Sequence, residues 1–484
     1  MTNRRPLLIG LAGLALLAGG CRDSESGPIE VSAIGGRPEL ANPNLKPLDP
    51  PSAFLVEAVA QGLVRFDAAG EIEPALAQRW IVSDDGLRYT FRLARLTWPN
   101  GQPITAQQVA ARMQAAASPA SRNALKPLLG AIDEIEPMIA EVLEISLKSP
   151  RPNFLQLLAQ PEMAVIQSGR GSGPFELERQ PDGSVRLKLR PSPEEAEEDD
   201  RPEGPEILLR GERSALAIAR FDEGMADLVT GGTLGDLALA RASEPAGNSL
   251  VFDPVVGMLG LAFTHRQGPF ADPELRRALA MAIDRAAIVQ SFAVPSHQPR
   301  ETLVSPGVTE LPQPALATWS AQPLPMRRRN AARIVAGAQD KPIVRVAMPE
   351  GPGYRLLFAH LKRDWAVIGV TAQRVGPREQ GDVRLIDEVA PVNLATWYLR
   401  HFTCEASAIC DPAADEMLAA ARAAPNAGAR REQLAAADRA LTDLTVYIPI
   451  AAPVRWSLVA PRLNGFRPNA FGRHPAGELL RAKP

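Results

Sequence analysis

The stretch Asp84-Asp85-Gly86-Leu87-Arg88-Tyr89-Thr90-Phe91-Arg92-Leu93 says most about the fold. Ser83, the two aspartates and Gly86 make a turn, because short polar side chains and glycine accept the dihedrals of a chain reversal. After the turn, Leu87, Tyr89, Phe91 and Leu93 alternate with Arg88, Thr90 and Arg92, the two-residue period of a strand with one buried face. A hairpin is the expected consequence. Downstream, Trp98-Pro99-Asn100-Gly101 forms another turn. Thr105 can then cap a helix while Gln108 reaches back to its backbone amide, which leaves Val109 and Met113 on the buried face. Upstream, residues 74–80 predict a short helix, and residues 53–66 carry Leu55, Val59, Leu63 and Val64 on one helical face.

Farther along, residues 132–147 predict strands, and a glycine-rich crossing at 169–175 leads into a strand pair over 176–189. Between Pro191 and Pro205, six acidic residues from Glu194 to Asp200 sit among prolines. Like charges at this density repel one another and predict a solvated loop, and the fixed spacing of a calcium loop is missing. Asp272 followed by Pro273 reads as a helix start. Leu275, Leu279, Ala282 and Ile283 share one face of that helix, while Arg276, Arg277 and Arg285 point elsewhere and are expected to cap and pair. A helix through the basic run 327–329, a strand over 343–348 and an amphipathic helix over 354–368 follow. Such alternation indicates an α/β unit.

The chain has 484 residues, too many for one ordinary core, so two or three domains are expected. Hydrophobic content of 45% and charged content of 22% are those of a globular protein. A net charge of -2 lacks the basic footprint of a nucleic-acid binder. At the N-terminus, Arg4 and Arg5 precede an apolar run from Leu7 to Leu17 that closes on Ala18-Gly19-Gly20 and Cys21. This pattern predicts a signal peptide over 1–20, too short for a transmembrane helix. It resembles the lipobox of bacterial lipoproteins, with Ala18 where that motif prefers Leu, so Cys21 is the expected lipidation site and 21–30 the lipidated tether. The competing reading is an ordinary secretory signal with an incidental cysteine. Cys404 and Cys410 remain, an even pair in an oxidising compartment, and read as a local disulfide. The alternative, a metal site, has only His401 nearby.

Several segments together resemble the family 5 solute-binding proteins that serve dipeptide, oligopeptide and nickel importers. The resemblance runs in order from Leu48 to Phe466. Gln61-Gly62-Leu63-Val64-Arg65-Phe66 is similar to the family's EGLV-x-F, and Pro74-Ala75-Leu76-Ala77-Gln78-Arg79-Trp80 to its PALA-x-x-W. Residues 84–93 and Trp98-Pro99-Asn100-Gly101 through Ala106 continue it. Gly171-Ser172-Gly173-Pro174-Phe175 looks like GTGPF, residues 221–228 like a segment ending in G-x-x-D, and residues 276–285 like VR-x-AL-x-x-AIDR.

The fold implied is α/β, of the type II periplasmic binding protein kind, with two lobes built from three domains around a ligand cleft. Residues 31–52, 165–260 and 450–484 would form the main domain of lobe 1, residues 53–164 a small domain attached to it, and residues 261–449 lobe 2. Crossings near Phe263 and Pro449 would form the hinge. The function implied is that of an extracytoplasmic, lipid-anchored solute-binding protein in the cell envelope. It would capture a peptide or peptide-like solute as a monomer and deliver it to the permease subunits of an ABC importer.

The departures bear on the ligand. Peptide-binding relatives carry an acidic residue shortly before a cysteine in lobe 2, whereas here Val392-Asn393-Leu394-Ala395-Thr396-Trp397-Tyr398 has no carboxylate. Asp387 and Glu388 lie upstream, in a different register. Thr264 stands where the family has Asn on the hinge strand, and the aromatic N-x-x-Y-W motif is missing around 191–198. The expected ligand contacts are Trp397, Tyr398, Arg400, Asn393, Phe263 and Thr264, with Arg400 suited to an anionic group. The bland alternative for the aromatics is core packing. No H-E-x-x-H, G-x-S-x-G, S-x-x-K or phosphate-loop motif occurs, so no catalytic residue, cofactor or metal site is expected and an exported hydrolase has no residues to carry it. A receptor or scaffold of the same fold that no longer transports is the remaining alternative.

Overall fold

The computed structural model describes residues 27–151, 153–190, 205–245, 247–339 and 341–481. The signal peptide, Cys21, most of the tether and the acidic stretch 191–204 lie outside them.

Strand β1 (Ile29–Ile34) opens a seven-stranded sheet. Next, β2 (Val64–Phe66) and β3 (Ile72–Pro74) pair as a ribbon. A four-stranded antiparallel sheet follows from β4 (Ala77–Val82), β5 (Arg88–Leu93), β6 (Ile132–Ile139) and β7 (Val142–Leu147). The chain returns to the large sheet with β8 (Phe175–Arg179), β9 (Val185–Leu189), β10 (Glu206–Glu212), β11 (Leu228–Thr233) and β12 (Leu250–Phe252). It then builds a five-stranded sheet from β13 (Gly257–Phe263), β14 (Ile343–Ala347), β15 (Thr371–Val375), β16 (Val383–Val389) and β17 (Tyr447–Ala451). Finally β18 (Arg455–Val459) inserts between β12 and β11. The result is an α/β protein of two lobes with a smaller third unit, as the sequence implies.

The hairpin of β4 and β5 forms as expected. Asp85 Oδ1 accepts the amide of Leu87 at 3.0 Å, Gly86 adopts φ +68°, and Tyr89, Phe91 and Leu93 are buried. Residues 74–80 are not a helix. Trp80 stands across from Phe91, and this cross-strand pairing with β5 decides the conformation over the local apolar spacing. The helix expected over 53–66 is shorter and starts earlier, at Pro50–Val59, with Asp49 accepting the amide of Ser52. It stops because Ala60 is extended and Gly62 passes so close to the carbonyl of Leu158 that a Cβ there would lie 2.7 Å away. Thr105 and Gln108 form the expected capping box.

Some boundaries differ from expectation. Ile29 and Glu30 belong to β1, not to a tether. Phe54, Leu55, Ala58 and Val59 pack in the core of the seven-stranded sheet, so a boundary at residue 53 falls inside a helix of lobe 1. The four-stranded unit has its own core from Leu63 to Val165. Phe263 and Pro449 lie within β13 and β17, while the chain passes between the two large sheets at 253–256 and 452–454. Arg276 and Arg285 do not face away from the core: they are 2% and 4% exposed. Arg276 donates to the carbonyls of Phe270, Ala271, Leu444 and Thr445, and Arg285 to those of Ala280 and Pro449. Buried carbonyls at chain turns need donors, and the guanidinium fork supplies several at once.

Candidate functional site

The lobes face one another across a cavity of about 470 Å³, within the range of small-molecule sites. Segments far apart in sequence line it. The helix Pro50–Val59 contributes Phe54 and Glu57, the end of β11 contributes Thr230 to Thr233, and the chain after β16 contributes 387–391. Trp397 and Arg400 come from the short helix Ala395–Leu399 and the turn that follows it, and residues 471–474 close the wall.

Most charges in the cavity are neutralised. Asp387 accepts from Arg455 Nη1 at 2.8 Å and from the Tyr354 hydroxyl at 2.7 Å, which pins β16 of one lobe to β18 of the other. Burial and the Asp387 carboxylate both push the Tyr354 phenol up, so it stays a donor. Glu388 lies 3.3 Å from His401 Nε2, and this hydrogen bond holds its carboxyl below the usual range. Arg473 lies 3.3 Å from Glu162, and His474 lies 3.2 Å from Asp253.

Two groups are left without such partners. The guanidinium of Arg400 makes no hydrogen bond or ion pair among the described residues, its Nε is shut off from solvent, and burial pushes its pKa down. Glu57 Oε1 is likewise buried and unpartnered, and burial raises that carboxyl to about 7. The cavity thus offers one cation and one titratable acid on opposite walls, each lacking the partner that a buried polar group ordinarily has.

Of the sequence candidates, Trp397 and Arg400 reach this cavity. Tyr398 is fully buried behind it, edge-on to Trp397 with ring centroids 4.8 Å apart. Asn393 offers its carbonyl to Asn153 Nδ2 at 3.3 Å and lies outside the lining. Phe263 and Thr264 sit at the far end of β13. Phe263 packs under the Arg276 guanidinium, and the Thr264 hydroxyl donates to the carbonyl of Gly381. Cys404 and Cys410 are joined as a disulfide. Among the described residues no group of three or more His, Cys, Asp or Glu could hold a metal ion. Sequence reading missed Glu57, Arg455 and 471–474. For Glu57 a signal existed, since it is the only charge in the helix PPSAFLVEAV.

Comparison with known proteins agrees with this architecture. The family described as bacterial extracellular solute-binding proteins, family 5, middle, matches residues 71–383. The nickel-binding periplasmic protein of Escherichia coli (strain K12) is 26% identical over 331 residues, covering 63% of this chain and 60% of that protein. A probable di/tripeptide-binding protein 5 of Pseudomonas aeruginosa (strain UCBPP-PA14) is 23% identical over 479 residues, covering 85% and 88%. The chain therefore spans less than two thirds of the nickel-binding relative. Haemophilus influenzae OppA, solved in complex with the peptide RPPGFSPFR, superposes with a TM-score of 0.79 at 16% identity over 93% of this chain and 98% of that one. A two-lobed fold around a cavity and a family match over most of the chain lead to one conclusion: this chain belongs to the family 5 bacterial extracellular solute-binding proteins, a family of binding proteins, not enzymes.

Proposed function

We propose that the chain captures a small solute carrying both an anionic and a basic group, a peptide or peptide-like molecule, by closing its lobes, and presents it to the permease subunits of an ABC importer. The observation that carries this reading is the pair of unpartnered groups, Arg400 and Glu57, in one cavity. A ligand carboxylate beside Arg400 would form a charge-assisted hydrogen bond. A ligand amine beside Glu57 would favour its ionised form and fill the role of the carboxylate missing before Cys404. Trp397 would supply an apolar wall, with Tyr398 and Asn393 supporting it from behind. The relatives named for peptides support this class.

The same proposal includes a periplasmic location with a lipid anchor at Cys21, three domains, and a hinge at the two crossings between the large sheets. The test is a thermal-shift screen of the chain without its anchor against di- and oligopeptides, sugars, opines and metal chelates, since a ligand of the folded state stabilises it by mass action. Peptides should raise the melting temperature, and Arg400→Ala should weaken their binding about tenfold or more. Failure of all peptides while another class succeeds would replace the ligand assignment.

A further inference from the structure

A second chamber of about 350 Å³ lies on the other side of Arg400, between the four-stranded unit and lobe 2. Residues 127–131, Arg151 and the segment 153–157 form one wall, and the end of the helix Pro412–Ala423 together with the disulfide loop forms the other. Arg400 lines this chamber as well as the main cavity, so its guanidinium stands at the boundary between them.

The chamber is cationic. Arg151 and Arg422 face it with Arg400, against the single carboxylate of the exposed Glu405. Arg151 is 8% exposed, and among the described residues its side chain has no hydrogen-bond or ion-pair partner, with Nη1 shut off from solvent. Burial pushes it down to about 10. Its neighbour Arg430 is treated differently: Glu310 pairs with it at 2.8 Å, and the carbonyl of Ala421 accepts from its Nη1. Arg430 thus holds Glu310 in direct contact, whereas Arg151 feels that carboxylate only at a distance, against the charges of Arg430 and Arg422, and opens toward a cavity. A buried charge with no direct partner is costly as a structural feature, so an anion is the group that would offset it.

We propose that this chamber is an oxyanion subsite that receives an acidic group of the ligand through Arg151, Arg400 and Arg422, while the main cavity holds the remainder. This rests on the reading of the main cavity as the ligand site and narrows its ligand class to solutes with a second anionic group, such as a peptide with an acidic side chain. A planar carboxylate and a phosphate share the chemistry that three guanidinium groups recognise.

The experiment is calorimetric titration of the chain with Ala-Glu and Ala-Gln, alongside thermal shifts with citrate and with inorganic phosphate. The wild type should bind Ala-Glu about tenfold or more tightly than Ala-Gln. Arg151→Met should bring the two within about twofold of each other, leave Ala-Gln unchanged, and keep or raise the unliganded melting temperature because an unpaired buried charge is gone. Arg422→Ala, on the exposed rim, guards against a folding defect at Arg151 and should reduce the same preference by about threefold, more at low salt. Citrate against phosphate distinguishes a carboxylate from a phosphate source. Equal affinity for the two peptides in the wild type, or equal weakening of both by Arg151→Met, overturns the proposal. If no peptide binds but citrate or phosphate stabilises the wild type and not Arg151→Met, the subsite stands and the peptide reading falls. If no probe acts through Arg151, the subsite is wrong.

Discussion

Glu57 shows how one residue in the cavity wall can couple stability to pH. The unfolded chain loses this proton near the ordinary value of 4.5, whereas the buried folded carboxyl holds it to about 7. Below that window both states are protonated and nothing is lost. As pH rises through it, the unfolded state ionises first, so stability falls. The fall has an upper limit of about 3 kcal/mol, because one pKa unit is about 1.4 kcal/mol and the side chain keeps some exposure. Denaturation midpoints measured from pH 4 to pH 8 should therefore decline less steeply in Glu57→Gln than in the wild type. A parallel decline in both would remove Glu57 from this role. Arg400 and Glu57 also mark what the sequence could and could not disclose about the site. Arg400 was legible beside Trp397, because both lie on one segment. The cavity's other wall comes from residues 54–57, 230–233 and 471–474, and no local pattern announces that such distant segments meet.

At the scale of elements, local rules hold where both of their partners are local. Thr105 with Gln108, Asp272 with Glu274, and the turn before β5 follow from neighbours in sequence. Residues 74–80 fail for the opposite reason. Their conformation is set by Phe91 and the rest of β5 across the ladder, and PALAQRW alone reads equally well as a short helix. The glycines of Gly171-Ser172-Gly173 acquire a physical reason only in three dimensions. They pass against the end of the helix Pro50–Val59, where a Cβ on Gly171 would lie 2.3 Å from the carbonyl of Val59. Gly171→Ala should thus cost about 1–3 kcal/mol, as overpacking against a rigid backbone does. A urea midpoint unchanged by the substitution would show that the helix end can yield.

Across the whole molecule, the four-stranded unit and the five-stranded lobe are joined by direct hydrogen bonds beside the cavity. Gln160, which is 2% exposed, donates to the carbonyl of Pro391 at 2.6 Å, and Asn153 donates to that of Asn393. Removing one such bond costs about 1 kcal/mol of the closed state. Gln160→Ala should then populate the open form and weaken every ligand by a common factor of about five, since affinity scales with the closed fraction. Titration against two unrelated ligands, with small-angle scattering of the free protein, tests this. A loss confined to one ligand would make Gln160 a contact instead of a latch.

The two crossings at 253–256 and 452–454 impose a further condition on that motion. Strands β12 and β18 are antiparallel neighbours in one sheet, and their continuations β13 and β17 are antiparallel neighbours in the other. The covalent link between lobes is thus a single two-stranded ribbon whose ends are clamped in both sheets. Such a ribbon behaves as a leaf spring: it flexes across its face, while its ladder hydrogen bonds resist sliding of one strand past the other. If the lobes open at these crossings, as proposed, the ribbon would confine them to rotation about one axis and would keep Phe252 opposite Trp456 and Leu259 opposite Ala451.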